Sequence, residues 1–296
     1  MRVFVTGASG WIGSAVIPEL LASGHQVLGL ARSEASANSL HDSGAEVLRG
    51  DLDDLNVLRE GAVACDGVIH LAFNHDFSQV AAAIDCDGRA IEAMGATLQG
   101  TGKAFLIASG TPALAGRVAT ECDESDLTGP MAGRGVNARM ALGLASRGVR
   151  SCVVRLPRSV HGKGERHGFI PRLIGLARSR GIAGYVGDGS NRWPAVHLLD
   201  AAHLFCLALE QAPAGSVLHA VGDEGVPTRE VANAIGRVLH LPSGSRPAEE
   251  FGFLGMVLDR DQPASSELTR QLLGWEPTHV GLIDDIERGH YADQEP

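Results

Sequence analysis

The first thirteen residues, Met-Arg-Val-Phe-Val-Thr-Gly-Ala-Ser-Gly-Trp-Ile-Gly, constrain the fold more than any other stretch of the chain. An apolar run of strand type, Val3 to Val5, leads directly into Gly7, Gly10 and Gly13. Apolar residues then recur at helical spacing at Ile12, Val16, Leu20 and Leu21, Gly24 stops the helix, and a second apolar strand follows at Gln26 to Leu30. Glycines in such a turn let the backbone approach a pyrophosphate, while the helix start offers free N–H groups and a positive dipole end. Gly7, Ser9, Gly10, Trp11, Ile12 and Gly13 are therefore the expected contacts of a dinucleotide.

The same rhythm continues along the chain. Strand-like apolar runs recur at 2–6, 26–30, 46–48, 67–73, 103–108 and 151–156, with helical patterns between most of them. Such alternation implies an α/β fold, a doubly wound parallel sheet with helices on both faces. After Arg155-Leu156-Pro157 the rhythm changes to a loop rich in glycine and charge, His161 to Gly168, followed by a helix from Phe169 to Arg180. Trp193 to Leu209 reads as a return to the core and a helix, and from Gly222 onward Pro and Gly break the pattern into small helices. The expected organisation is a dinucleotide-binding Rossmann domain of 1–157 and 195–221, with a smaller substrate-binding cap lobe of 158–194 and 222–290.

The apolar content of 44% supports a real core, and the formal net charge of −10 argues against a nucleic-acid or anionic-membrane surface. Five scattered cysteines with no Cys-x-x-Cys pair fit reduced thiols, and no apolar leader follows Met1-Arg2, so a cytoplasmic location is expected. The twelve histidines show no metal spacing, and no metal is expected.

The second strand ends in Arg32-Ser33, where an NAD site usually carries Asp or Glu for the ribose hydroxyls. A guanidinium and a hydroxyl suit a 2′-phosphate, so NADP(H) is expected over NAD(H); an Arg in a solvated turn is the plainer alternative, and Glu34 follows closely.

Six ordered segments carry a family resemblance: Thr6 to Gly13, Gly50-Asp51-Leu52, His70-Leu71-Ala72, Val154 to Pro157, Val196 to Ala202 and Leu273 to Pro277. Together they resemble the extended short-chain dehydrogenase/reductase superfamily, the group that includes NAD-dependent epimerases and dehydratases. The resemblance implies that Asp51 and Leu52 contact the adenine, that Leu71, Ala72 and Phe73 line the cofactor, that Pro157 borders it, and that a homodimer forms through helices of the nucleotide domain. Asp51 also suits a cap for the helix starting near Asp54. The chain departs from the superfamily at one place. Its two tyrosines, Tyr185 and Tyr291, have no lysine four residues on, so the usual Tyr-x-x-x-Lys relay is missing and the chain resembles an atypical subgroup.

The fifth strand delivers Ser109-Gly110-Thr111 at its carboxyl end, where open parallel sheets bind ligands. By resemblance this is the place of the hydroxyl that bonds the substrate oxygen, and Ser109 and Thr111 both qualify. Aligning back from Val153 to Leu156 puts Arg139 near the place of the missing lysine, with Arg134 as the alternative. A guanidinium stabilises developing negative charge but does not give up its proton. Histidine is the natural replacement donor, which brings forward His75 after the fourth strand and His161 after the sixth. The expected activity is NADPH-dependent reduction of a carbonyl, imine or activated double bond of a small organic metabolite. A non-catalytic NADP(H) sensor is the competing class, and a nucleotide-sugar epimerase or dehydratase fits less well without the Tyr/Lys pair.

Overall fold

The computed structural model describes residues 1–74, 79–114, 116–125, 127, 129 and 131–291. Strand and helix alternate from the start: β1 (Arg2–Thr6), α1 (Gly13–Ala22), β2 (Gln26–Ala31), α2 (Glu34–Asp42), β3 (Glu46–Arg49), α3 (Leu55–Ala64) and β4 (Gly67–His70). The second half-unit runs α4 (Val80–Leu98), β5 (Ala104–Gly110), α5 (Ala132–Gly143) and β6 (Arg150–Leu156). Beyond it lie β7 (Ser159–His161), α6 (Phe169–Arg180), β8 (Ala183–Tyr185), β9 (Arg192–His197), α7 (Leu198–Gln211) and β10 (Ser216–His219). The last stretch holds β11 (Asp223–Pro227), α8 (Thr228–Leu239), β12 (Ser243–Ser245), α9 (Phe253–Leu258), α10 (Glu267–Leu273) and α11 (Leu282–Glu287).

Seven strands form one parallel sheet in the order β10-β6-β5-β4-β1-β2-β3. The reversal of strand order lies between β1 and β4, and both carboxyl ends open there onto one crevice, the usual ligand position of this topology. One face of the sheet buries Val16, Ile17 and Leu20 of α1 with Leu204, Phe205 and Leu209 of α7. The opposite face buries Leu58, Ile91, Met94 and Ala138 from α3, α4 and α5 against Phe4 and Phe105. This is the doubly wound architecture that the alternating pattern implies.

The apolar run at 67–73 becomes a strand for four residues only, and the reason is chemical. Beyond His70 the ladder is taken over by a side chain: Leu71 N–H donates to the Thr6 carbonyl at 3.2 Å, but Ala72 N–H donates to the Thr6 hydroxyl at 3.3 Å. Gly7 meanwhile turns away with a φ of +66°.

A second core gathers Ile170, Leu173 and Ile174 of α6, Trp193 of β9, Val231 and Ile235 of α8, and Leu282 and Ile286 of α11. Its elements come from the two stretches after β6 that flank α7 and β10, with a small sheet in the order β11-β9-β7 joining them. No helix among the described residues is long and apolar enough to cross a membrane.

Candidate active site

The cradle for a dinucleotide is built by close backbone packing. A Cβ on Gly7 would stand 2.6 Å from Ala72 N, and one on Gly13 would stand 2.3 Å from the Gly7 carbonyl oxygen, so neither position accepts a side chain. Gly10 N–H closes the turn on the Gly7 carbonyl at 2.9 Å. Helix α1 has no side-chain cap, unlike α2, where Ser33 accepts from Ser36 N–H, and α3, where Asp54 accepts from Val57 N–H. Ser14, Ala15 and Val16 N–H already bond to the Gly10 and Ile12 carbonyls, so the N–H groups open to a ligand are those of Trp11, Ile12 and Gly13 at the helix entry, where negative charge is favoured. Residues and group fit each other: a turn with no room for a Cβ and an uncapped helix start suit a pyrophosphate. Trp11 fixes the turn from the other side, its indole donating to the Val160 carbonyl at 2.7 Å.

At the end of β2, Arg32 is exposed and has no partner among the described residues. Ser33 is the cap of α2, and Arg49, from the end of β3, donates to the Ser33 carbonyl at 2.7 Å and pairs with Glu34 at 3.3 Å. Arg49 is a neighbour that sequence reasoning missed. Asp51 accepts from the N–H groups of Asp53 and Asp54 at 2.9 and 3.2 Å, which shapes the loop into α3, while Leu52 packs on the core below. Leu71 is half-buried beside Ala72, and Pro157 is buried just past β6.

Behind the β1–β4 opening lies a buried polar chain with no counterpart in the sequence reading. Thr6 Oγ1 is 2.7 Å from His70 Nδ1, and His70 Nε2 is 3.2 Å from Asp87 Oδ1. Asn137 Nδ2 donates to Asp87 Oδ2 at 2.7 Å and to the Ile84 carbonyl at 3.0 Å. Burial alone would push the Asp87 carboxyl up; the His70, Arg134 and Asn137 side chains outweigh it and hold Asp87 below its ordinary range.

Arg134, in the first turn of α5, donates to the Ala108 carbonyl at 2.9 Å, and its guanidinium lies 4.1 Å from the centre of the Phe73 ring. It therefore stands beside the carboxyl end of β5, with Phe73 and the Asp87 charge around it. Arg139 lies one turn further along α5 on an exposed face and pairs with Glu124 at 2.8 Å. Of the two arginines considered for the lysine's place, Arg134 reaches the carboxyl end of β5 and Arg139 points to solvent with Glu124. Helical geometry explains it, since residues five apart on α5 point to different sides.

Ser109 and Thr111 are both buried, 8% and 6% exposed, at the carboxyl end of β5. Thr111 N–H donates to the Leu156 carbonyl at 3.0 Å, and its own carbonyl accepts from Gln262 Nε2 at 2.7 Å. Gln262 Oε1 accepts in turn from Arg158, two residues past β6. Gln262 and Arg158 are 104 positions apart, and no local pattern announces the pair.

The two histidines fare differently. His75 lies outside the described residues. His161 is fully buried beside the second core, with Nδ1 2.9 Å from Asp285 Oδ2, its ring edge-on to His197 at 5.5 Å, and Nε2 without a partner among the described residues. Tyr291 joins this knot, donating to Glu165 at 2.7 Å and accepting from Gly162 N–H at 3.2 Å. Burial and the nearby Asp285 charge push the Glu165 carboxyl up to about 7 even though Tyr291 donates to it. None of these contacts leads to Ser109 or Thr111, so the structure does not bring His161 to the β5 hydroxyls.

Residues 3–220 match the NAD dependent epimerase/dehydratase family. The chain belongs to that family. It is a member of the short-chain dehydrogenase/reductase superfamily, in an atypical branch without the Tyr/Lys pair, and its family is one of NAD(P)-dependent oxidoreductase- and epimerase-type enzymes. An uncharacterised protein of Schizosaccharomyces pombe is 46% identical to this family member over 297 residues, which cover 98% of this chain and 100% of that one. The 2-alkyl-3-oxoalkanoate reductase of Stenotrophomonas maltophilia is 29% identical over 321 residues, covering 100% of this chain and 92% of the reductase. Among solved structures, the DesIV double mutant, a dTDP-glucose 4,6-dehydratase from Streptomyces venezuelae solved with NAD bound, superposes with a TM-score of 0.80 at 19% identity, covering 99% and 97% of the two chains. That likeness carries the fold.

Proposed function

We propose that this family member is an NADPH-dependent reductase of a ketone or aldehyde carbonyl on a small organic metabolite, with 158–194 and 222–290 as its substrate-binding lobe. The observation that carries the reading is the group of polar side chains at the carboxyl end of β5. Two buried hydroxyls, Ser109 and Thr111, stand there with the Arg134 guanidinium fixed on the Ala108 carbonyl. The relationship to a 3-oxoalkanoate reductase over the full chain supports the same reaction class.

A dinucleotide held on the Gly7–Gly13 turn would supply the hydride for a carbonyl carbon. The Ser109 and Thr111 hydroxyls orient the carbonyl oxygen by donating to it, and the Arg134 charge favours the negative charge that grows there. The π pair of the C=O bond ends on that oxygen and takes a proton through a hydroxyl from solvent. Arg134 does not supply it, since a guanidinium keeps its proton. Asp87 sets the geometry from behind through Asn137 and His70.

NADPH is preferred on the strength of the β2 terminus, where Arg32 has no carboxylate partner among the described residues and Glu34 is paired with Arg49. Arg32→Ala is expected to weaken NADPH binding by about tenfold or more and NADH binding little, read by fluorescence titration of each. Equal weakening of both would remove the NADPH preference. The reaction itself is tested by NADPH oxidation against ketones, aldehydes, enones and cyclic imines, with the Ser109→Ala/Thr111→Ala and Arg134→Met variants alongside. Turnover that collapses in the variants supports the reductase, whereas tight NADPH binding without turnover of any acceptor would replace it with a redox-sensing protein.

A further inference from the structure

Desolvation pulls the guanidinium of three arginines below its ordinary range: the half-buried Arg134 and Arg158, and the buried Arg155. Arg134 and Arg155 have carboxylate charge nearby that opposes the shift. Arg134 has the Asp87 charge close by, and Arg155 has Asp123 and Glu121. Arg158 has no carboxylate among the described residues; the charge beside it is a like one, Arg260, and it is pulled down to about 10. A desolvated cation without a counter-ion destabilises a fold, and an anion arriving from solvent offsets that cost.

Its position says where such an anion would sit. Arg158 follows β6 by two residues, at the ligand-binding end of the sheet. One arm donates to Gln262 Oε1, and Gln262 Nε2 donates to the Thr111 carbonyl at 2.7 Å with the Thr111 hydroxyl at 3.5 Å. This bridge fixes the guanidinium next to a hydroxyl at the proposed reacting centre. The Trp193 ring, 5.7 Å away, backs the cation on another side. The donors not engaged by Gln262 form a planar fork, which matches a carboxylate.

We propose that Arg158 is the anion anchor of the substrate site, and that the substrate is an oxo acid whose carboxylate sits on Arg158 while its ketone oxygen faces the Ser109 and Thr111 hydroxyls. The assignment rests on the carbonyl-reductase reading above. The carboxylate stays intact through the reaction: the carbonyl carbon gains hydride, its oxygen gains a proton, and the anion serves to place the ketone.

Matched acids and esters test it: acetoacetate against methyl acetoacetate, and 4-oxopentanoate against its methyl ester, each with NADPH. In the wild type kcat/KM is expected to favour the acid by at least about tenfold; Arg158→Gln lowers the acid value by about tenfold to a hundredfold and the ester value far less, so the acid-over-ester ratio collapses, and Arg158→Lys recovers part of that ratio. Equal loss for acid and ester, or a wild type that prefers the ester, would overturn the anchor. Calorimetric titration of butanoate into the NADP-loaded protein separates this from the reaction class. Butanoate binding that Arg158→Gln abolishes upholds the anchor even if no ketone is reduced. No butanoate binding to the wild type, or binding of propylphosphonate in its place, overturns the carboxylate assignment.

Discussion

Arg134 and Arg158 both reach the carboxyl end of β5, one on the Ala108 carbonyl and the other through Gln262 on Thr111, and they differ in the charge around them. Arg134 sits in a closed circuit: its charge faces Asp87, whose two oxygens are also engaged by His70 and Asn137. Arg158 sits in an open one, held by a neutral amide and an aromatic ring with a second cation nearby. Both are desolvated cations in one fold, so the difference lies in the partner. A buried charge with its counter-charge built in belongs to the scaffold, whereas one without is a place where a ligand completes the electrostatics.

The largest expected effect comes from opening the closed circuit. Asp87→Ala leaves Arg134 without its counter-charge and His70 and Asn137 without an acceptor, and a loss of stability on the order of 3–5 kcal/mol is expected. Urea unfolding measures it. A loss below about 1 kcal/mol would mean that water reaches the circuit and that the contrast with Arg158 is one of degree.

Glu165 puts the same question to an acid. It is 3% exposed, its hydrogen-bond partner is the neutral Tyr291 hydroxyl, and burial lifts it from 4.5 to about 7. The folded state therefore binds a proton more tightly than the unfolded one. This contribution to stability is fully present below pH 4.5 and is lost as pH rises through about 7. A change of roughly 3 kcal/mol across that window follows from the usual 1.4 kcal/mol per pKa unit. His197 and His219, held below their ordinary range by burial, act in the opposite sense near pH 6.5, so the clean measurement is a difference. The stability of the wild type minus that of Glu165→Gln is expected to fall between pH 4.5 and 7; a flat difference would show that the carboxylate is solvated.

How much of this was legible from residue order follows the range of the interactions. The helix at Phe169 to Arg180 was readable to the residue because a local apolar stripe runs from an entry after Gly168 to a stop at Gly181. The glycine turn was equally local, since each glycine there meets backbone within a few positions or across one strand. Arg134 was not separable from Arg139, because the Tyr and Lys that would anchor the alignment of α5 are missing. His70 stood inside a recognisable segment, but Asp87 is 17 positions on and Asn137 another 50, and nothing in their spacing marks them as one circuit. Gln262 comes to Arg158 across 104 positions through the packing of the second core. What sequence patterns missed were long-range pairings of single polar side chains, and these define the site.

The open circuit makes a smaller and opposite prediction. Arg158→Met removes a desolvated cation that has no counter-charge to orphan among the described residues, and leaves a side chain of similar length against Trp193. Stability is expected to stay within about 1 kcal/mol of the wild type or to rise, in contrast to Asp87→Ala. A loss of about 3 kcal/mol or more in urea unfolding would mean that Arg158 holds Gln262 and Thr111 for the sake of the fold, and the distinction between the two arginines would fail.

Arg139 marks the lower end of the scale and checks the reassignment on α5. Its side chain is 59% exposed, and so is most of Glu124, its partner at 2.8 Å. Water and salt screen such a pair, so Arg139→Ala is expected to change stability by no more than about 0.5 kcal/mol. Reductase activity is expected to follow the wild type, because α5 keeps Arg134 on the β5 side when an outward residue changes. If activity instead fell with Arg139→Ala as steeply as with Arg134→Met, α5 would be turned by more than a turn's worth of register in the working enzyme, and the cation at the end of β5 would be Arg139.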